Sequence, residues 1–92
     1  MNGTRIPSKL CLFLQGARAR AGLSQKDVAD ELGYKTSQVV SDWERGYRSI
    51  PSNVLKKIAK LYGVSTEEFF QAILEERTAI LESKLRQTFG IK

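Results

Sequence analysis

Residues 25–45 read QKDVADELGYKTSQVVSDWER and contain two short helical patterns separated by a single glycine. The first pattern places Val28 and Leu32 on one side of a helix, and the second places Val40 and Trp43 on one side. A glycine between them can end a helix with a positive φ at little steric cost. Two helices joined in this way predict a helix-turn-helix, whose second helix can lie in the major groove of DNA.

The second of these helices has a polar outward side if Val40 and Trp43 face the core. Glutamine can pair with adenine through two hydrogen bonds, serine can bond several bases, and aspartate can accept a hydrogen bond from cytosine. The same face is equally well explained as an ordinary solvated surface, and a carboxylate counts mildly against DNA. The outward side chains are Ser37, Gln38, Ser41, Asp42 and Arg45.

The composition of the chain limits the classes of protein it can belong to. Its 92 residues fit one domain, and a formal charge of +5 fits a polyanionic partner, although this is weak evidence. The lone cysteine, Cys11, is predicted to be a small buried side chain, and its being single fits a reducing, cytoplasmic setting. Because the chain has no histidine and a single cysteine, we expect no structural zinc site and no Ser-His or Cys-His catalytic arrangement. The acidic residues are spread over helix faces with no evident paired site, so we expect no enzyme and no cofactor. The longest apolar run is far too short to span a membrane, so we expect no membrane partner.

The flanking sequence predicts three more helices, which makes the fold all-α. One helix is expected over about residues 8–21, a fourth over about 51–63 and a fifth over about 66–88, because apolar residues recur at helical spacing in each. Ser24 and Asp27 have the spacing of a capping box at the start of the second helix. Together with the helix-turn-helix, these patterns predict five helices.

Glu44 is an unusual residue for its position. It follows Trp43 directly, so it should lie near the edge of the core, where an unpaired carboxylate is costly. The candidate cation is Arg18 on the first helix. We therefore predict an ion pair between Arg18 and Glu44.

Two segments of the chain resemble the Cro/C1 helix-turn-helix family of phage repressors and related bacterial regulators. They are GARARAGLSQKDVADELGYKTSQVVSDWERGYRSIP (16–51) and VLKKIAKLYGVSTEEFF (54–70). The resemblance covers about residues 13–70 and implies a lambda-repressor-like domain over residues 8–70, a compact bundle of five short helices. In that fold the second and third helices form the helix-turn-helix, and the third reads the major groove.

The resemblance also implies roles for individual residues. It makes Arg18 and Glu44 a buried structural ion pair. Around Tyr34 this chain has one more residue than the commonest family spacing, which adds Lys35 as a candidate contact with phosphate. The base-facing set is Thr36, Ser37, Gln38, Ser41 and Asp42, with Thr36 also capping the recognition helix. The predicted contacts with the DNA backbone are Gln25, Lys26, Lys35, Arg45, Tyr47 and Arg48.

The helical pattern continues beyond the resemblance, over residues 66–88. Such a helix would be about 35 Å long, which is more than a five-helix core can cover, so its apolar side needs a partner. We expect it to associate with a second copy as an antiparallel or crossed pair. Alternatively, it folds back on its own domain, or it binds a different protein as an antitoxin binds a toxin. The predicted dimerisation residues are Phe70, Ile73, Leu74, Arg77, Ile80, Leu81 and Leu85.

These observations predict a sequence-specific regulator of transcription that binds double-stranded DNA as a homodimer and represses by occluding its operator. One alternative is an antitoxin-like or co-regulatory protein whose C-terminal helix binds a different protein. Another is an interaction module with a helix-turn-helix shape and no role on DNA. Arg5, in the polar N-terminal arm, could reach a phosphate or the minor groove, although a solvated terminus explains it better.

Overall fold

The computed structural model describes residues 8–91, which fold into helices joined by short turns. Within this range there is no strand, so the prediction of an all-α fold is confirmed. The predicted role of Arg5 lies outside the described residues. The elements are α1 (Lys9–Arg20), α2 (Gln25–Leu32), α3 (Gln38–Arg45), a 3₁₀ turn (Ser52–Val54), α4 (Leu55–Tyr62) and α5 (Thr66–Phe89).

Serine side chains cap three of the five α-helices. The hydroxyl groups of Ser8, Ser24 and Ser65 each accept a hydrogen bond from the backbone N–H three residues later, at 3.1, 2.9 and 3.0 Å. At α2 the carboxylate of Asp27 also accepts from the backbone N–H of Ser24 at 2.8 Å, which completes the capping box. The hydrogen bond from the backbone N–H of Ser24, with a smaller contribution from the Ser24 hydroxyl, lowers the pKa of Asp27.

The core lies where α1 packs against α3, α4 and the first half of α5. Its most completely buried large side chains are Leu14, Val28, Val40 and Ile58. The rings of Phe13 and Phe69 stack with their centroids 5.9 Å apart, which joins α1 to α5. Cys11 is buried with its thiol free, as predicted. The bundle therefore holds α3 against α1 on one side and leaves its other side open.

The long helix α5 divides into a packed half and a protruding half. Phe69 is buried, and Ile73 packs against the core of its own domain. From Arg77 to Ile91 every residue is exposed. The structure therefore corrects the prediction for Ile73, because at helical spacing from Phe69 it lies on the side that faces the bundle. Ile80 continues that side and lines a concavity beside Leu10 and Ile50.

Tyr62 gives a prediction for stability at high pH. Burial, with the nearby Glu44 carboxylate as the smaller cause, raises the pKa of Tyr62 to about 12. An unfolded tyrosine ionises near about pH 10, so between about pH 10 and 12 the unfolded chain loses a proton that the folded chain keeps. Stability from this group is complete below about pH 10 and falls as the pH rises through about 12.

We expect urea denaturation to show that the free energy of unfolding of the wild type falls by about 2 kcal/mol over this pH range. The Tyr62→Phe variant should not show this fall. Because the wild type and the variant differ only at residue 62, the comparison removes the contribution of every other group. Parallel pH profiles for the two proteins would contradict the prediction.

Candidate nucleic-acid interface

The turn between α2 and α3 is anchored at its first residues. Gly33 ends α2 with φ of 85°, a left-handed conformation that glycine adopts without strain. The backbone N–H of Tyr34 then donates to the carbonyl of Ala29 at 2.8 Å. The ring of Tyr34 packs edge-on against Trp43, with centroids 5.8 Å apart. In this longer turn the Tyr34 side chain therefore packs against Trp43, and Lys35 is exposed.

Thr36 and Ser37 lie directly before α3. The hydroxyl oxygen of Thr36 accepts a hydrogen bond from the backbone N–H of Gln38 at 3.3 Å, but the N-cap position of α3 is occupied by Ser37, one residue later than predicted. Ser37 has helical dihedral angles, and its side chain makes no capping hydrogen bond. Thr36 and Ser37 therefore precede the helix, and Gln38 is the first residue of α3 proper.

The outward face of α3 is formed by Gln38, Asp42 and Arg45. Their spacing of i, i+4 and i+7 places them on one side of a helix, opposite Val40 and Trp43. Gln38 and Arg45 are exposed, and Asp42 is half-buried between them. The solvent-facing side of α3 is therefore narrower than the sequence predicts.

Asp42 organises this face. Its Oδ1 accepts a hydrogen bond from the side-chain amide of Gln38 at 2.9 Å, and its Oδ2 lies 3.4 Å from Nε of Arg48. Its side chain is only 14% exposed. Because both carboxylate oxygens are engaged and largely covered, Asp42 orients Gln38 and Arg48. This corrects the prediction that Asp42 accepts a hydrogen bond from a base.

Ser41 is less exposed than the sequence pattern predicts. It is only 9% exposed, so the structure corrects the prediction that it faces the bases. The reason is Glu44, which is buried as well and widens the inward side of α3. Since Ser41 lies three residues before Glu44, it falls at the border of that wider buried side. A small hydroxyl can be covered there without disturbing the packing.

The predicted partners Arg18 and Glu44 are in contact. Glu44 is 3% exposed, and its two carboxylate oxygens accept from Nε and Nη2 of Arg18 at 2.6 and 3.1 Å. Arg18 also donates to the carbonyl of Leu23 at 2.9 Å. The hydrogen bond to Glu44 raises the pKa of Arg18 further. This two-point pairing fixes α3 to α1 and to the start of α2.

Two glutamines join this ion pair. Gln25, predicted to point toward phosphate, instead donates from its amide to Oε1 of Glu44 at 3.0 Å. The correction has a simple cause, because a buried carboxylate needs more donors than one arginine supplies. Gln15 donates to the carbonyl of Glu44 at 3.0 Å and was missed by sequence reasoning. Its place one turn before Arg18 was the available signal.

Exposed polar and cationic side chains stand at both ends of α3. Lys35 precedes the helix, and Arg45, Tyr47 and Arg48 lie at its end or just after it, all exposed. Lys26, at the start of α2, pairs with Asp30 on the surface.

None of the helices in residues 8–91 is long and apolar enough to cross a membrane.

A short capped helix, a tight turn and a second helix with an open polar face define a helix-turn-helix domain. The chain belongs to the helix-turn-helix family, whose family model matches residues 14–69, and the predicted Cro/C1-type membership is confirmed. It is 39% identical over 54 residues to the HTH-type transcriptional regulator ImmR of Bacillus subtilis (strain 168), covering 59% of this chain and 42% of that protein. It is 38% identical over 61 residues to the Endothelial differentiation-related factor 1 homolog of Gallus gallus, covering 65% of this chain and 40% of that protein. The chain thus matches less than half the length of either relative.

Proposed function

We propose that this protein is a sequence-specific, DNA-binding regulator of transcription that inserts α3 into the major groove. The observation that carries the proposal is Gln38, which is exposed at the start of α3 and held in place by Asp42 at 2.9 Å. Reading an adenine takes one donor and one acceptor from a glutamine amide. The bond to Asp42 uses one N–H, and the amide has a second N–H and an oxygen.

Charge supports the same proposal. A bare carboxylate beside the groove would repel phosphate, but Asp42 is paired with Arg48. Lys35, Arg45 and Arg48 are exposed cations around α3, and the whole chain carries a formal charge of +5. Phosphate contacts of this kind fix the position of a protein on the duplex and account for much of its affinity.

The protein acts as a dimeric repressor in this proposal. A single small module buries limited area on DNA, and a two-fold dimer can bind two half-sites about one helical turn apart. The exposed leucines of α5 supply a surface for that dimer. A dimer on an operator near a promoter would exclude polymerase and so repress transcription. The expected location of such a regulator is the cytoplasm.

Two substitutions test the groove contact on duplexes selected from a random pool. Gln38→Ala is expected to weaken binding by about 1–3 kcal/mol and to relax preference at one base pair. Arg48→Ala is expected to weaken binding about equally across sequences, with folding little changed because the Arg48 side chain itself is 67% exposed. Fluorescence anisotropy measures both changes.

The matched control is Lys57→Ala, which removes the same charge from an exposed position on α4. It should leave affinity close to that of the wild type. If Gln38→Ala retained wild-type affinity and base preference, α3 would not read the groove as proposed.

A second candidate function is suggested by the same exposed half of α5. Leu74, Leu81 and Leu85 could bind a different protein, which would make this chain antitoxin-like or co-regulatory. Sedimentation of the purified chain discriminates the two, since a regulator that dimerises through α5 should sediment as a dimer without any partner.

A further inference from the structure

The protruding half of α5 carries a regular pattern on one side. Leu74, Thr78, Leu81, Leu85 and Thr88 are separated by four, three, four and three residues. This is the spacing of core positions in a two-stranded coiled coil. The three leucines are exposed, Leu81 by 56% and Leu74 and Leu85 by 46% each.

This stripe faces away from the bundle. At 100° per residue, its centre lies roughly 120° around α5 from the side that carries Phe69 and Ile73. Those two residues pack against the core of the domain. Leu74, at the start of the stripe, borders α4 across a concavity that Leu55 and Ala59 also line. From Thr78 onward every residue of α5 is exposed, so a second helix can lie along that part of the stripe.

The residues that flank the stripe are sorted by charge. Glu75 and Glu82 follow the core positions on one edge, and Arg77 and Lys84 precede them on the other edge. The Oε2 atom of Glu82 also lies 3.1 Å from Nε of Arg86 on the same helix, which leaves its other carboxylate oxygen for a second partner. In a parallel pair of helices each edge faces the opposite edge of its partner, so acids face bases. In an antiparallel pair each edge faces its own kind, and like charges meet in every register.

Arg77 also lacks an acidic neighbour on its own helix. The residues three and four positions away on either side are Ile73, Leu74, Ile80 and Leu81, all apolar. Positions three and four residues apart are those that touch on a helix surface. Arg77 therefore has no acidic side chain at contact spacing on α5 and is available to an acidic side chain of a second helix.

We infer that residues 74–88 form a parallel, in-register coiled coil with a second copy of this chain. Arg77 of each copy pairs with Glu82 of the partner subunit, five residues further along. The occupant is a second copy because one helix carries both the acidic and the basic edge. The inference rests on the proposed dimeric regulator and deepens it, and it replaces the antiparallel or crossed pair expected from the sequence.

Disulfide trapping of the full-length chain tests the orientation. Thr78→Cys and Thr88→Cys place a thiol at two core positions about 15 Å apart along the helix, and a disulfide needs Cα atoms within about 7 Å. A parallel, in-register pair brings both positions next to their own copies. An antiparallel pair can do so for one position at most.

We expect both variants to form covalent dimers under mild oxidation on a non-reducing gel. Ser83→Cys, on the opposite side of the helix, is the matched control and should stay uncoupled. The unmodified chain is the blank, because Cys11 is buried. Sedimentation of the unmodified chain is measured in parallel.

Cross-linking at only one position, or at Ser83→Cys, would overturn the parallel arrangement while leaving a dimer in place. A dimer by sedimentation with no cross-link would place the interface elsewhere. A monomer by sedimentation would also overturn the inference, but specific binding of that monomer to one half-site would leave the proposed reading of DNA intact.

Discussion

Replacing Glu44 by alanine is expected to lower the free energy of unfolding by about 3–5 kcal/mol, the range found when one member of a buried ion pair is removed. The carboxylate accepts two hydrogen bonds from Arg18 and one from Gln25. All of these donors lose their acceptor in the variant. Arg18 is the costliest loss, because its side chain is only 19% exposed and cannot be fully rehydrated without moving.

Urea denaturation followed by circular dichroism measures this effect. The matched control is Glu31→Ala, which removes an exposed carboxylate and should change stability by less than about 0.5 kcal/mol. Glu44→Gln should fall between the two, since it keeps the shape and loses the charge. A midpoint for Glu44→Ala within error of the wild type would show that the pair does not hold α3 to α1.

The second large effect is expected from the exposed side of α5. The double substitution Leu81→Gln and Leu85→Gln removes apolar surface at two core positions of the proposed coiled coil without changing charge. Since linking two binding modules raises overall affinity by about 10²–10⁴, we expect a loss of at least about 100-fold on a duplex with two half-sites. Affinity for a duplex with a single half-site should be unchanged.

Ser83→Gln is the control for the double substitution, because it adds the same polar group on the opposite side of α5. It should bind both duplexes like the wild type. If the double variant lost affinity equally for one and for two half-sites, the exposed leucines would serve the domain itself, and dimerisation would have another surface.

The helices, their caps and the core were predictable from the sequence because they depend on local patterns. Ser8, Ser24 and Ser65 each stand directly before an apolar helical pattern, and a serine in that place accepts a backbone N–H. The pairing of Arg18 with Glu44 was also accessible, since a carboxylate beside Trp43 requires a cation. These features need only the spacing of residues and the cost of burying charge.

The exact composition of the polar face was not predictable in the same way. Whether Ser41 is covered depends on Glu44 widening the buried side of α3, and Glu44 is buried because α1 and α2 bring donors to it. Gln25 turns inward for the same reason. The sequence pattern predicted that Asp42 contacts a base. Its actual contact with Arg48 depends on the path of the chain after α3, which the pattern of α3 does not reveal. Each of these contacts depends on how the helices pack against one another. The spacing of residues within one helix gives no information about that packing.

The most direct test of DNA reading by α3 is the binding of the wild-type chain, across salt concentrations, to a duplex selected from a random pool. If a dimer docks α3 and its flanking cations on two half-sites, six or more phosphates are neutralised. Affinity should then fall about 10³-fold or more between about 50 and 200 mM salt, with a shared base preference among the selected duplexes. Affinity that stays constant over that range, or a selected pool with no common sequence, would contradict the account.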